Sequence, residues 1–191
     1  MMLRFLPALA ALVAPLSLAA QEAEPRTVSA ERPEEMMFAL LNAGYDPELT
    51  TDGIGDPLIR FSRKSGYPLM VLFYDCDEET HDKCSSIQLR GALDRAQPWT
   101  PAEAMQLSAR FRFLQVTLDE EGDPSLFWDI LTGSGIPESL FIDAVERFEK
   151  NVSYAAELVF AEERRAQERG AEEQGAEEQG AEEQGPQAGP G

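Results

Sequence analysis

Residues 67–74, YPLMVLFY, form the most strand-like segment of the chain, since almost every side chain in them is aliphatic or aromatic. Residues 85–93 follow with alternating apolar and polar side chains, the period of a strand with one buried face. The acidic segment DCDEETHDKC, residues 75–84, connects the two. The sequence therefore predicts a central antiparallel hairpin whose loop is bounded by two cysteines.

The first twenty residues, MMLRFLPALAALVAPLSLAA, have the features of a secretory signal peptide. Arg4 precedes an apolar run, and small residues follow that run. Pro7 and Pro15 interrupt it, and it is shorter than the ~20 residues that a membrane-spanning helix needs. We expect a signal peptide over residues 1–19, with cleavage after Ala19 or Ala20. The expected product is an exported protein, periplasmic or secreted, without stable membrane insertion.

Export determines how Cys76 and Cys84, the two cysteines of the chain, are interpreted. In an oxidising compartment we expect a disulfide rather than a metal site or a redox couple. The spacing is not the C-x-x-C of thioredoxin-like catalysts. Closing so short a loop stabilises a fold by about 2–3 kcal/mol. His81, the single histidine, lies between the cysteines, where nothing in the sequence would orient it as a catalytic base.

Helices are predicted on both sides of the hairpin. One begins at Pro33 and ends before Gly44, with apolar residues at helical spacing between them. A second begins with the capping box Thr100–Glu103 and is expected to reach residue 111 with Met105 among its buried residues. A third opens near Pro137. With strand-like runs between the helices, the expected fold class is α+β, an antiparallel sheet flanked by helices in the order α-βββ(β)-α-ββ-α.

The chain divides into four parts by composition. After the signal peptide, residues 20–32 are polar and are expected to form a flexible lead. Residues 33–160 contain the predicted α+β domain. Residues 161–191 are a low-complexity tail with the pentad AEEQG, nine Glu against three Arg, and no apolar residue larger than Ala. Such a tail cannot offset its ordering entropy, so we expect it to be disordered, with its first pentads able to extend the last helix.

Net charge excludes several classes of function. The chain has 35 Asp and Glu against 16 Lys and Arg, a formal charge of −19. Nucleic-acid binding and electrostatic attachment to anionic lipid both require a surplus of basic residues. One histidine cannot form a multi-histidine metal site. We expect no nucleic-acid partner and no cofactor.

The pattern D-x-x-G-D-P occurs twice, beginning at Asp52 and at Asp119, each time between two predicted strands. The favoured interpretation is a pair of tight turns, in which Asp bonds its own backbone and Gly takes positive φ. The alternative is a hard-cation site with ligands from Asp52, Asp56, Asp119 and Asp123. Neither turn has the ligand at every second position of a known calcium loop.

Several segments, in order and with compatible spacing over residues 33–160, resemble the exported YbjN-domain proteins of bacteria. They are Ala43-Gly44-Tyr45, Thr51-Asp52-Gly53, Gly55-Asp56-Pro57-Leu58-Ile59, Phe73-Tyr74-Asp75-Cys76, Cys84-Ser85-Ser86-Ile87-Gln88, Ala109-Arg110-Phe111 and Leu118-Asp119-Glu120-Glu121-Gly122-Asp123-Pro124. The resemblance implies a fold like that of type III secretion chaperones, often in homodimers, and a regulator of sensory transduction. It supplies no catalytic residues.

Two functions follow as hypotheses. The first is a non-enzymatic periplasmic binding or regulatory module that recognises a protein partner, or a second copy of itself, through an apolar sheet face or a helix groove. Its candidate contacts are the aromatic residues whose burial is least clear from the pattern: Tyr45, Phe61, Tyr67, Trp99, Phe127 and Trp128. The alternative is a carboxylate-based enzyme, for which acids at strand ends are available: Asp75, Asp77, Asp119 and Asp129.

Overall fold

A computed structural model describes residues 26–63, 66–161, 163–165 and 167–169. The predicted signal peptide and the AEEQG pentads after residue 169 lie outside the described residues. Within the described part, the chain forms eight strands and three helices.

The centre of the fold is a six-stranded antiparallel sheet in the order β2-β3-β4-β5-β7-β6. Its strands are β2 (Glu48–Thr51), β3 (Pro57–Phe61), β4 (Leu69–Tyr74), β5 (Ser86–Ala92), β6 (Gln115–Leu118) and β7 (Pro124–Leu131). The predicted central hairpin is β4–β5, with Val71 opposite Leu89. The α+β fold class is confirmed.

One face of the sheet is covered by α1 (Pro33–Asn42) and α3 (Glu138–Val159), which pack on β3 and β5 and on each other. The apolar stripe of α3 is fully buried, from Phe141 through Val152 to Val159. Helix and sheet approach closely at Gly91, where a Cβ would lie 3.1 Å from Val152. The opposite face carries the alternate side chains of β4 and β5, which are half-buried except for the exposed Tyr74 and Ala92.

The prediction of a flexible lead over residues 20–32 is wrong for residues 26–32, the part that the structure describes. Thr27–Val28 forms β1, which pairs with β8 (Ile136–Pro137) as a small second sheet. Val28 and Ala30 are fully buried, and the Ala30 amide donates to Thr132 Oγ1 at 3.0 Å. This segment is ordered by distant partners, which a two-residue strand without a hydrophobic period does not reveal.

The second helix, α2 (Pro101–Ser108), begins as predicted and ends earlier. Thr100 and Glu103 form both bonds of the capping box. The expected burial of Met105 is wrong, since 73% of its surface is exposed. The helix packs against β6 at the edge of the sheet, so only a narrow stripe of it is covered.

The start of the predicted tail is part of the folded unit. Residues 161, 163–165 and 167–169 are helical. Glu163 accepts from the Arg95 side chain at 3.2 Å and from the Ala96 amide at 3.0 Å, and the Arg95 side chain is only 3% exposed. The first pentads thus continue the last helix, as their composition allows, and the buried Arg95 side chain binds the first of these turns. Among the three helices of the described chain, none has the length and apolar character needed to span a bilayer.

Candidate functional site

A groove of about 890 Å³ opens between α3 and the connection from α2 to β6. We call it the Phe113–Trp128 groove. Its lining combines aromatic, aliphatic and charged side chains: Arg112, Phe113, Trp128, Leu140, Asp143, Ala144, Glu146, Arg147, Lys150 and Asn151.

Helical periodicity places one wall of the groove. Leu140, Ala144, Arg147 and Asn151 recur every three or four residues along α3, so they share one side of the helix. The neighbouring stripe, which includes Phe141, is buried on the sheet. The sheet supplies the floor, because Trp128 stands opposite Leu89 on the helix-facing side of β7.

The other wall is formed by Phe113, whose ring stacks on that of Trp128 with centroids 5.2 Å apart and an interplanar angle of 21°. Phe113 is 71% exposed and has a φ of 64°. A bulky residue in the left-handed region is strained, and such strain is enriched at functional sites. The strain has a local cause. The chain must leave α2 and bury Leu114, whose carbonyl accepts from Ser108 Oγ at 3.1 Å.

Three of the five charged side chains of the groove are basic, and the other two are Asp143 and Glu146. Arg112, Arg147 and Lys150 are exposed, and none of them lies within 4.0 Å of a carboxylate among the described residues. Glu146, by contrast, accepts from Arg63 Nη2 at 3.2 Å. In a chain with a net charge of −19, three free cations around two aromatic rings are suited to an acidic ligand with an apolar anchor.

The open face of the sheet is a second exposed surface. Phe127 lies there opposite Arg90, whose guanidinium is 5.4 Å from the ring centroid. The Arg90 Nε atom is buried without a hydrogen-bond partner in the described structure. Asp129 accepts from Gln88 and Gln115, both at 2.7 Å. Polar and cation–π contacts between side chains thus connect neighbouring strands on this face.

Two of the predicted aromatic contacts are core residues. Tyr45 is 4% and Phe61 is 3% exposed, and their rings pack edge to face at 5.4 Å. The Tyr45 hydroxyl donates to Glu149 at 2.8 Å. Burial, followed by this bond to a carboxylate, raises the pKa of Tyr45 to about 12. Neither ring offers a contact surface, which corrects their place among the candidates.

Tyr67 and Trp99 lie apart from the groove. Tyr67 is 37% exposed, shortly before β4. Trp99 is partly buried against the core, with the Arg95 guanidinium 5.4 Å from its ring. Of the six predicted contacts, only Trp128 lines the groove. The sequence analysis missed Phe113, although an aromatic residue two positions after the predicted end of a helix at residue 111 was an available signal.

The sulfur atoms of Cys76 and Cys84 lie at disulfide distance, in agreement with the prediction made from an oxidising compartment. The loop between them folds onto the first D-x-x-G-D-P turn. His81 Nδ1 lies 2.8 Å from Asp56 Oδ1, so His81 does have an orienting partner, contrary to our expectation. That partner is 25 residues away in sequence, and only the folded sheet brings the two together.

The carboxylates of the two turns bind their own backbone. Asp52 Oδ1 accepts from the amides of Ile54, Gly55 and Asp56, each at 3.0 Å. Asp119 Oδ1 accepts from the amides of Glu121 and Asp123 at 3.1 and 2.8 Å. Within the described residues, no group of three or more His, Cys, Asp or Glu side chains could hold a metal ion. The geometry is that of the favoured turn interpretation.

The strand-end acids proposed for an enzyme bind different partners. Asp75 accepts from the Ser85 and Ser86 hydroxyls, and Asp129 accepts from two glutamines. Asp77 accepts from the Glu79 and Thr80 amides, which, with the bond from Thr80 Oγ1, lower its pKa. General acid catalysis needs a raised carboxyl pKa, so the shift at Asp77 has the opposite direction.

A family model named YbjN, described as "putative bacterial sensory transduction regulator", matches residues 33–160, about two thirds of the chain. No curated protein matches the chain significantly.

Proposed function

The chain belongs to the YbjN family, whose description as a regulator indicates a non-enzymatic regulatory module, and we propose that it acts by binding a protein partner in the Phe113–Trp128 groove.

The observation that carries the proposal is the conformation of Phe113. Its left-handed backbone costs about 1–2 kcal/mol, and its ring is left 71% exposed, which is unfavourable in water. The burial of Leu114 accounts for the backbone conformation, but it leaves the Phe113 ring stacked on Trp128 and open to a ligand. A partner that covered the ring would gain about 1.5–3 kcal/mol from its burial.

The charges define the chemistry of the partner. Arg112, Arg147 and Lys150 surround the stacked rings and lack acidic partners among the described residues. A polypeptide segment with one apolar anchor residue and flanking acids would satisfy both features. Rim charges of this kind increase the association rate and the specificity more than the affinity.

The proposed compartment is the periplasm or the exterior of a bacterium. It is supported by the features of residues 1–19 and by the cysteine pair at disulfide distance, since disulfides persist in oxidising compartments.

Affinity capture from periplasmic extract tests the proposal. The tagged chain is compared with Phe113→Ala and with Phe38→Ala, a matched loss of an exposed phenylalanine on α1. We expect one protein to be captured by the parent and by Phe38→Ala and to be lost with Phe113→Ala. Calorimetry with that purified protein should show 1:1 binding, weakened at least about tenfold by Phe113→Ala.

Light scattering on the same samples identifies a partner that is a second copy. A dimer that Phe113→Ala converts to a monomer would assign the groove to self-association. Capture or dimerisation that is unaffected by Phe113→Ala would overturn the proposal.

A further inference from the structure

We propose that the acidic pentads of residues 170–191 of this same chain occupy the Phe113–Trp128 groove when no partner is bound. This inference rests on the proposed function of the groove and adds its regulation. The occupant is a named segment of the chain, and the support is charge complementarity together with the length of that segment.

The segment and three side chains of the groove carry opposite charges. Residues 170–191 contain six Glu, in pairs at 172–173, 177–178 and 182–183, and no Lys or Arg. The groove presents Arg112, Arg147 and Lys150 without an acidic partner among the described residues. One chain that is otherwise strongly acidic thus contains both an acidic segment and a cluster of three cations.

The length of the segment selects which glutamates can reach. From Lys150 to residue 169 a helix covers at most about 29 Å at 1.5 Å per residue. If the chain reverses direction at Gly170 and is fully extended, it spans about 10 Å to the first Glu pair, about 25 Å to the second and about 40 Å to the third. Within one molecule, the third pair reaches the groove and the first pair does not.

The composition of the segment makes its binding displaceable. It has no apolar residue larger than Ala, so it can pair with the cations but cannot cover the Phe113 ring. Attachment to the same chain compensates for weak contacts through a millimolar effective concentration. A partner with an apolar anchor contacts both the cations and the Phe113 ring, and it therefore displaces the tail. The tail thus sets the concentration of partner that is needed for binding.

The indole N–H signal of Trp128 in a proton–nitrogen NMR spectrum of the whole exported chain tests this directly. Glu182→Gln with Glu183→Gln is compared with the matched control Glu172→Gln with Glu173→Gln, which removes the same charge from the same segment. In low salt, about 20 mM, we expect the first pair of changes to shift the Trp128 signal and the control to leave it in place. The shift should disappear in about 0.5 M salt.

Charge reversal in the groove completes the test. Lys150→Glu should shift the Trp128 signal and abolish its response to Glu182→Gln with Glu183→Gln. Arg60→Glu, an exposed cation on the open sheet face, should leave that response intact. A shift that depends on protein concentration would contradict binding within one molecule. A Trp128 signal indifferent to all tail substitutions would overturn the inference.

Failure of this inference is distinguishable from failure of the proposed function. If capture is lost with Phe113→Ala but the Trp128 signal does not respond to the tail substitutions, the proposed function stands and only the binding of the tail is contradicted. A Trp128 signal that depends on the tail, without any captured protein, would contradict partner binding and support the tail as the occupant of the groove. If both hold, the purified partner should bind the Glu182→Gln, Glu183→Gln variant about threefold to tenfold more tightly than the parent chain.

Discussion

The turns at residues 52–57 and 119–124 share the pattern D-x-x-G-D-P and have nearly the same local geometry. In each, the first Asp accepts backbone amides through one carboxylate oxygen, and its own amide donates to the carbonyl of the second Asp, at 2.8 and 3.1 Å. The glycines have φ values of +105° and +83°, which glycine adopts without strain.

Their surroundings differ. The first turn is contacted by His81, from a loop closed by the cysteine pair. The second is enclosed by residues 93–99, whose backbone donates from Trp99 to Gly122 and from Arg95 to Asp123, both at 2.9 Å. Arg95 is in turn fixed by Glu163. Short-range sequence thus determines the form of a turn, whereas tertiary packing determines how much a change in it costs.

Substitution of the two glycines by alanine is expected to show the largest difference. At Gly122 a Cβ would lie 2.5 Å from Pro98 Cβ, and a rigid proline cannot move aside. Gly122→Ala should therefore lower the free energy of unfolding by about 3 kcal/mol, from overlap and positive φ together. At Gly55 the new atom would meet the His81 ring at 3.2 Å, and a loss of about 1–2 kcal/mol is expected.

Denaturant unfolding of both variants measures this difference. His81→Ala combined with Gly55→Ala is the control, because it removes the ring that Gly55→Ala approaches and should recover part of the loss. Equal losses at the two glycines would show that backbone strain alone sets the cost and that the packing around the turns is irrelevant.

Removal of the cysteine pair should lower the stability of the whole domain and, beyond that, loosen the first turn but not the second. Cys76→Ser with Cys84→Ser is expected to cost about 2–3 kcal/mol, since the closed loop is short. Because the loop carries His81, hydrogen exchange at the amides of Ile54, Gly55 and Asp56 should accelerate. Exchange at Asp123 should change only with global stability. Acceleration confined to the second turn would contradict the attachment of the loop to the first.

The same distinction separates what could and could not be predicted from sequence. Hydrophobic period, capping and turn signals are short-range, and they located α1, the β4–β5 hairpin, the capping box at Thr100 and both turns. The pairing of β1 with β8 was missed, because Val28 and Ile136 are far apart in the chain and each strand has only two residues.

The candidate site depends on long-range contacts to a greater degree. Trp128 was among the predicted contacts, but so were Tyr45 and Phe61, which are buried. An aromatic residue in a strand has the same pattern whether its face is covered by a helix or left open. Phe113 takes its exposed position from the burial of Leu114 beside it, which only the assembled sheet determines.

Loss of the Glu163 carboxylate should weaken the second turn from a distance. Glu163→Gln leaves the Arg95 guanidinium, 3% exposed, without its charged partner. A loss of about 2 kcal/mol is expected, less than for a fully buried pair because Glu163 is 17% exposed. Glu168→Gln, on an exposed residue of the helical segment 167–169, removes the same charge and should be neutral.

Thermal unfolding and amide exchange at Asp123 and Gly122 measure the effect of Glu163→Gln. We expect exchange at these two amides to accelerate more than the loss of global stability explains. Exchange at the Gly55 amide should follow global stability alone. If Glu163→Gln and Glu168→Gln are equally neutral, the first tail pentad does not support the second turn.

Acid titration gives the smallest expected difference and concerns the loop that contacts the first turn. The amides of Thr80 and Glu79 and the Thr80 hydroxyl hydrogen-bond Asp77 and hold its pKa below the ordinary carboxyl value. Because the folded pKa is lowered, the stabilisation is present above the unfolded value, near pH 4, and is lost as the pH falls through the folded pKa. Carboxyl NMR shifts should therefore show Asp77 protonating below pH 4. As Asp77 protonates, residues 76–84 should become less ordered, and Asp77→Asn should remove this dependence on pH. If Asp77 instead titrates at the ordinary carboxyl value, these hydrogen bonds do not order the loop in solution.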